Sequence, residues 1–432
     1  MMQINSMKDE TKHLEIKPIP DAETYYIPLS QNIGKPPVSV VRAGEKVYQY
    51  QLIAEADGSF SANLHSPVSG EVTGMEDCTL ANGQTCRAIV IKNDFQNRQP
   101  AAKPFDAEML TAEEILKAIE QAGIVGEGGA QFPTHVKYTL QDYKIDTFII
   151  NGTECEPYLS ADYSLMNTRT DNLLKGIVYA NKILKAKKIV ISIENHNREL
   201  KKILEAAIEK NGYQNFSIKI LPDKYPQGGE LQLIKSVTGK EIRKGSLPRN
   251  EGVIVSNVGT IYAIYEALFE HKPLTERVIT VSGELADKCG NYRVKIGTTV
   301  GHIIESLGIR YPEYTAQLVL GGPMMGKAVT ELTTPIVKGT SGVLFLKPKK
   351  DERNNCIYCG YCADVCPMHL MPMMFVRNYR KNKVKQLDKG NINDCIECAA
   401  CEYICPSNVP LITSIKKGKE ELLNSIWYAK HR

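Results

Sequence analysis

The spacing of apolar positions changes along the chain, and each change marks a different kind of element. Residues 36–75 run as short apolar stretches broken by turn residues every few positions, which predicts short strands in a small β module. At Thr111 the period lengthens. Thr111 and Glu114 form a capping box ahead of Ile115, Leu116 and Ile119, predicting a helix over 111–122. Helical periods recur over 163–186, 198–211 and 259–271. Between them lie strand-like runs, Ile145 to Ile150, Lys188 to Glu194, Phe216 to Leu221 and Val253 to Asn257. Such alternation predicts an α/β layer with a mostly parallel sheet. Residues 277–346 return to β character around RVITVSGE and YRVKIG, with one helix near 299–307, as in a small ubiquitin-like α/β module. Lys347 to Asn355 is charged and contains Pro, and reads as a linker. The basic stretch from Ile415 to Arg432 reads as a short, solvated helix.

Cysteine usage adds the sharpest chemistry. Of twelve Cys, eight lie beyond residue 355, in the runs Cys356-x-x-Cys359-x-x-Cys362-x-x-x-Cys366-Pro367 and Cys395-x-x-Cys398-x-x-Cys401-x-x-x-Cys405-Pro406. This is the bacterial ferredoxin spacing for two [4Fe–4S] clusters. Three close Cys reach three corners of one cube, and the fourth, before Pro, points at the other. One cluster then takes Cys356, Cys359, Cys362 and Cys405; the other takes Cys395, Cys398, Cys401 and Cys366. Structural zinc would favour two CxxC knuckles with a long gap instead. Such clusters carry single electrons. Cys78, Cys86, Cys155 and Cys289 are scattered, and each is expected to be a small buried hydrophobe.

Composition narrows the function classes. The 432 residues are 43% hydrophobic and 24% charged, which fits a soluble multidomain protein and excludes a disordered or collagen-like chain. Lys and Arg number 53 against 49 Asp and Glu, a net charge of +4, too balanced for a nucleic-acid footprint. No apolar run reaches the roughly 18–20 residues that cross a bilayer. The N-terminus has no apolar h-region, so no signal peptide is expected. The expected location is the cytoplasm, docked on the cytoplasmic face of a membrane partner. In that reducing compartment metal ligation is expected over disulfides.

Two Gly-rich loops are candidates for phosphate binding. Gly126 to Thr134 lets backbone N–H groups approach an anion closely. It follows a helix and has Gln131 at the third Gly position, so it is not a dinucleotide fingerprint. Gly321-Gly-Pro-Met-Met-Gly-Lys327-Ala328 nearly spells a Walker A loop, but Ala328 replaces the Mg²⁺-binding hydroxyl, and it reads as a structural turn. The stretch His65 to Val72 resembles the barrel-sandwich fold of lipoyl and biotinyl carriers. With no matching Lys in it, the module reads as a brace.

The loop GEGGAQFPTHVK, the strand end NGTECEP, Tyr225-Pro-Gln-Gly-Gly-Glu230, Ser256-Asn257 and the doubled cluster motif together resemble the RnfC family. RnfC is the NADH-binding subunit of the Rnf ion-translocating electron-transport complex. The central part also resembles the flavin subunit of respiratory complex I. The likeness covers about residues 25–415. It implies a barrel-sandwich-like module over 25–100, an FMN/NADH-binding α/β domain over 110–272, and an SLBB-like module over 273–346. A ferredoxin-like 2[4Fe–4S] domain over 350–415 and a basic tail over 416–432 complete the chain. It implies that Gly126, Gly128 and Gly129 wrap flavin and nucleotide, that Phe132 stacks on the dinucleotide, and that Lys137 lies near phosphate. Asn151 and Glu156 fall on the flavin and nicotinamide side, Tyr225, Gly228 and Glu230 on the facing wall, and Asn257 on the flavin. Gln131, Thr153 and Gly229 depart from the usual residues, and the Gly-Gly-x-His-Pro stretch common near RnfC N-termini is lacking. The implied function is electron transfer between NADH and an acceptor through FMN and two clusters, as an oxidoreductase subunit with other Rnf subunits and ferredoxin-type chains as partners and no nucleic acid. The alternatives are a soluble reductase, like cobalamin reductase or the proline-reductase-associated protein, and a non-catalytic electron carrier.

Overall fold

A computed structural model describes residues 1–101, 106–243, 245–313, 316–348 and 353–430, with the backbone alone for 426–430. The N-terminal β module is larger than its sequence pattern suggests. Strands Thr24–Pro28, Thr85–Asn93, Gly70–Thr79 and Lys46–Val47 form one antiparallel sheet, in that order. Val38–Ser39, Leu52–Glu55 and Leu64–His65 form a second. Inward residues Tyr25, Ile27, Ile53, Leu64, Val72, Ile89 and Ile91 fill the space between them. The long hairpin 70–93 is hidden from a sequence reading because its solvent half is polar on both faces.

The central layer is a four-stranded, all-parallel sheet in the order Phe216–Leu221, Lys188–Glu194, Thr147–Gly152, Val253–Asn257. Three of its strands match the expected ranges; the fourth begins at Thr147 rather than Ile145. The helix Ala112–Gln121 has the expected capping box: Thr111 Oγ1 accepts from Glu114 N, and Glu114 returns the bond to Thr111 N. The long helix expected over 163–186 is two, Ala161–Thr168 and Thr170–Leu184. They part at Arg169 (φ −127°), where the Thr168 and Thr170 hydroxyls bond back to Ser164 O and Met166 O. Hydroxyls that compete for helix carbonyls loosen a helix. Leu173, Leu174 and Ile177 pack with Ile261, Ile264 and the strand residues Phe148, Ile150, Ile191 and Ile254. At Gly176 any Cβ would strike Ile261 O, so this glycine sets how closely Thr170–Leu184 and Val258–Phe269 approach.

Consecutive strands run outward from Thr147–Gly152 to Phe216–Leu221. The chain then returns to place Val253–Asn257 on the other side of Thr147–Gly152. The order therefore reverses between these two strands. Open parallel sheets bind ligands beyond the carboxyl ends of the strands at such a switch point.

A third sheet orders Ile16–Pro18, Gly290–Lys295, Glu276–Ser282, Gly342–Leu346, Gln317–Leu320 and Lys327–Val329, with the helix Val300–Leu307 packed on it. Its first strand comes from the N-terminal segment, which has no apolar pattern of its own. That segment is tied down at distant points. Met2 bridges Tyr225, Tyr158 N donates to Ser6 O, and Lys8 and Thr11 are buried.

The C-terminal unit repeats itself. The short helices Tyr361–Asp364 and Ala400–Tyr403 lie 39 residues apart, and so do the left-handed residues Tyr358 and Glu397, Gly360 and Ala399, and His369 and Asn408. The expected basic tail is instead part of one helix, Leu411–Lys430. Ile415 and Leu422 are buried against Phe375, Leu387 and Ile392, while Lys419 Nζ donates to Cys395 O (2.7 Å). The Lys residues dominate the local composition, but the apolar face decides the packing. Ile415→Ala should destabilise this unit by about 2–5 kcal/mol, read as a lower urea midpoint for its unfolding. Among the described residues no helix is long and apolar enough to cross a membrane.

Candidate functional site

The switch point is lined by the residues the sequence singles out. Asn151 and Asn257 close the two diverging strands and lie in register. Asn151 Nδ2 donates to Gly228 O (2.9 Å), and its Oδ1 accepts from Thr153 N. Asn257 caps the helix Val258–Phe269 through Gly259 N (2.8 Å) and donates from Nδ2 to Asp162 Oδ2 (2.6 Å).

The Gly-rich loop lies over these two ends. It is closed by Gly126 N to Phe132 O and Gln131 N to Gly126 O. A Cβ on Gly128 would sit 3.4 Å from Asn257 Cβ. Gly129 has φ +100° and open space where a Cβ would point. Among the described residues, the N–H groups of Gly128, Gly129 and Ala130 donate to no protein acceptor. Consecutive unpaired N–H groups form an anion-binding concavity. They suit the phosphate or ring-edge acceptors of a flavin nucleotide.

Two contacts close the mouth. Lys137 Nζ and Glu230 Oε1 form an ion pair (2.8 Å) between the helices Thr134–Tyr138 and Glu230–Thr238, the second of which no sequence pattern predicts. Phe132 packs edge-on against Phe60 of the barrel module. Gly228 faces Thr153 O so closely that no side chain fits there.

Glu156 is turned away from this mouth. Its oxygens accept from Met324 N and Met325 N, both at 2.9 Å, and burial pushes its pKa up. It thus braces the near-Walker loop at Gly321–Gly326, which is a turn as expected. Tyr225 joins Glu156 (3.4 Å) to the cluster unit by donating to Cys398 O (2.7 Å). It therefore sits between the α/β layer and the cysteine runs.

Sequence reasoning misses several charged groups under the loop. Glu127 forms a buried ion pair with Arg277, whose pKa burial lowers to about 9. Lys8 reaches Glu154 O and lies 4.0 Å from Glu194 Oε2. Burial, then the nearby Glu154, pushes Asp162 up to about 8. No local pattern marks these partners, because they meet only through the fold. An acid with a raised folded pKa costs stability once its unfolded form ionises, so this contribution falls as pH rises from about 4 to about 8. Asp162→Asn should flatten that slope, measured as urea midpoints at pH 5 and pH 8 against the unsubstituted protein.

The cysteines gather across the repeat. Cys356, Cys362 and Cys405 share one apolar cluster with Val376, Val409 and Leu411. Cys366, Cys395, Cys398 and Cys401 line a cavity of about 330 Å³ with Pro367, Ile396 and Ile412. Each fourth Cys thus joins the opposite run, as the spacing implies. Burial, then neighbouring thiols, raises Cys401 and pushes Cys398 up to about 11. Crowded, desolvated thiols ionise only when a cationic centre compensates them, which fits an iron–sulfur cube. Backbone N–H groups point at sulfur in matched pairs, Tyr358 and Glu397 at Cys356 and Cys395, and Leu370 and Val409 at Cys366 and Cys405, all at 3.4 Å.

A nucleotide-type cradle at a parallel-sheet switch point, packed on two four-thiol centres, defines a flavin- and iron–sulfur-type electron-transfer protein. Residues 119–266 match the Nuo51 FMN-binding domain, residues 355–409 a 4Fe-4S dicluster domain, and residues 2–96 the RnfC barrel sandwich hybrid domain. The chain is 41% identical to the C subunit of the proton-translocating ferredoxin:NAD(+) oxidoreductase complex of Clostridium ljungdahlii, over 84% of this chain and 79% of that one. It is 37% identical to the Na(+)-translocating counterpart of Acetobacterium woodii, over 93% and 91%. It is also 37% identical to the C subunit of the ion-translocating oxidoreductase complex of Rhodobacter capsulatus, over 96% and 81%. The chain belongs to the RnfC family. A chain of an NAD+-reducing [NiFe]-hydrogenase, at 21% identity, shares the fold over 74% of this chain and 62% of that one, with a TM-score of 0.52.

Proposed function

We propose that this chain is the NADH-side electron-transfer subunit of an Rnf-type, ion-translocating ferredoxin:NAD+ oxidoreductase. FMN and the two clusters supply the exchange of a hydride's two electrons for single electrons when bound. The chain's own residues hold and insulate that path. The N–H groups of Gly128, Gly129 and Ala130 hold the anionic or ring-edge oxygens of the flavin nucleotide, and Asn151 and Asn257 fix the floor beneath it. Lys137 offers a positive charge at the mouth, paired with Glu230 until a phosphate competes for it. Phe132 offers a ring face for a dinucleotide. Glu156 acts through the loop it braces, and Tyr225 keeps the cradle and the Cys398 centre at fixed separation. Cys356, Cys359, Cys362 and Cys405 would ligate one cluster, and Cys395, Cys398, Cys401 and Cys366 the other.

The observation that carries this reading is the Glu156–Tyr225–Cys398 chain, which joins the flavin cradle directly to a cluster centre. The relatives' names support the other Rnf subunits as partners, NADH and ferredoxin as redox partners, and a peripheral position on the cytoplasmic face of the membrane. Anaerobic titration of the holoprotein with NADH tests it. The flavin absorbance should bleach with added NADH. A flavin that stays oxidised in excess NADH and reduces only with dithionite would refute the assignment.

A further inference from the structure

Two of the four scattered cysteines are not buried hydrophobes. Cys78 and Cys86 face each other across the hairpin Gly70–Thr79 and Thr85–Asn93. Their sulfurs are 3.8 Å apart, and both are half-exposed. The hairpin closes tightly: Leu80 N donates to Gln84 O, Gly83 N donates to Leu80 O, and Gly83 has φ +79°. Pairing alternates along antiparallel strands, so Cys78 and Cys86, two steps beyond Leu80 and Gln84, again occupy a hydrogen-bonded pair. Opposed Cα atoms there lie about 5.5 Å apart, inside the range a disulfide spans. The residues around the pair, Glu76, Asp77, Gln84, Thr85 and Arg87, are exposed, so the sulfurs are open to a reactant.

The two sulfurs also differ in character. The hydrogen bond from Cys78 lowers the Cys86 thiol to about 7, while the same contact and burial raise Cys78. Asp77 is the charged neighbour that acts on both, and it raises each of them; Arg87, adjacent to Cys86, is paired with Asp77 (3.4 Å). Near neutral pH the pair therefore offers one attacking thiolate beside one resolving thiol.

We propose that Cys78 and Cys86 form a thiol–disulfide exchange site on the barrel module, separate from the flavin cradle and the clusters, that takes disulfides as substrates. The Cys86 thiolate attacks one sulfur of R–S–S–R′. That S–S bond breaks, and R′–S⁻ leaves and takes a proton from water. A Cys86–S–S–R mixed disulfide remains. Cys78 loses its proton to solvent and attacks Cys86 Sγ, forming the Cys78–Cys86 bond and expelling R–S⁻. Two electrons and two protons pass from the pair to the substrate. Excess dithiol reverses the sequence, so the site cycles without drawing on the cluster cysteines.

The test uses the anaerobic holoprotein and glutathione disulfide as the probe, read by peptide mapping of the segment that holds both cysteines. The unsubstituted protein should lose two hydrogens from this peptide, carry no glutathione there, and regain the hydrogens with dithiothreitol. Cys78→Ser should trap a stable glutathione adduct on Cys86. Cys86→Ser should react at Cys78 at least about tenfold more slowly at pH 7, since its thiol loses the thiolate-forming partner. Iron content read in parallel confirms that each variant is folded and loaded. A peptide that stays as two free thiols would overturn the proposal. So would separate glutathione adducts on both sulfurs, or equal rates in the two variants.

Discussion

Cys401→Ala is expected to leave the chain with about half its iron, falling from about eight to about four atoms, as one of two [4Fe–4S] centres is lost. Cys401 is 7% exposed and lines the cavity it shares with Cys366, Cys395 and Cys398. Alanine fits the space, so the fold should persist while that centre fails. The crossing of the two runs sharpens the expectation. Cys366→Ala should abolish the same paramagnetic signal as Cys395→Ala, although Cys366 belongs to the first run. Cys405→Ala should abolish the other signal, with Cys356→Ala. Iron analysis and low-temperature EPR of the reduced variants check this. Loss of the same signal in Cys366→Ala and Cys356→Ala would refute the crossed assignment.

Gly128→Leu is expected to cut bound flavin by at least about tenfold, equivalent to about 1.4 kcal/mol or more. A Cβ at this position lies 3.4 Å from Asn257 Cβ, so a longer side chain must turn into the cradle. It would also cover the unpaired N–H groups of Gly128, Gly129 and Ala130. Iron should stay near the unsubstituted level, because the cysteine centres lie beyond Tyr225. Flavin released by denaturation and quantified per iron is the readout. Full flavin occupancy in this variant would place the cofactor elsewhere.

What is legible in the sequence follows from how local each signal is. The cysteine spacing carries its own geometry, since a run of three close thiols dictates a loop and the fourth must reach elsewhere. The parallel strands are legible because strands buried on both faces read as apolar runs, as in Lys188–Glu194. The capping box at Thr111 is likewise a four-residue signal. The N-terminal segment is not legible: Lys8 and Thr11 are polar residues whose burial depends on Glu154, Ser160 and Asn291, more than 140 residues away. Glu156 shows the converse limit. Its motif is visible, but both carboxylate oxygens are taken by Met324 and Met325, a loop no local pattern connects to it. The Cys78–Cys86 pairing needs the hairpin register, which depends on the turn at Leu80–Gln84.

The central claim is that nicotinamide and the clusters exchange electrons through the flavin cradle. The most direct measurement follows cluster EPR in two anaerobic arms, oxidised protein mixed with NADH and chemically reduced protein mixed with NAD+. The account predicts that the cluster signal changes in at least one arm, with matching conversion of the nicotinamide, and that Gly128→Leu, still loaded with iron, abolishes the change. A cluster signal that stays fixed in both arms, or one that responds equally without flavin, would contradict it.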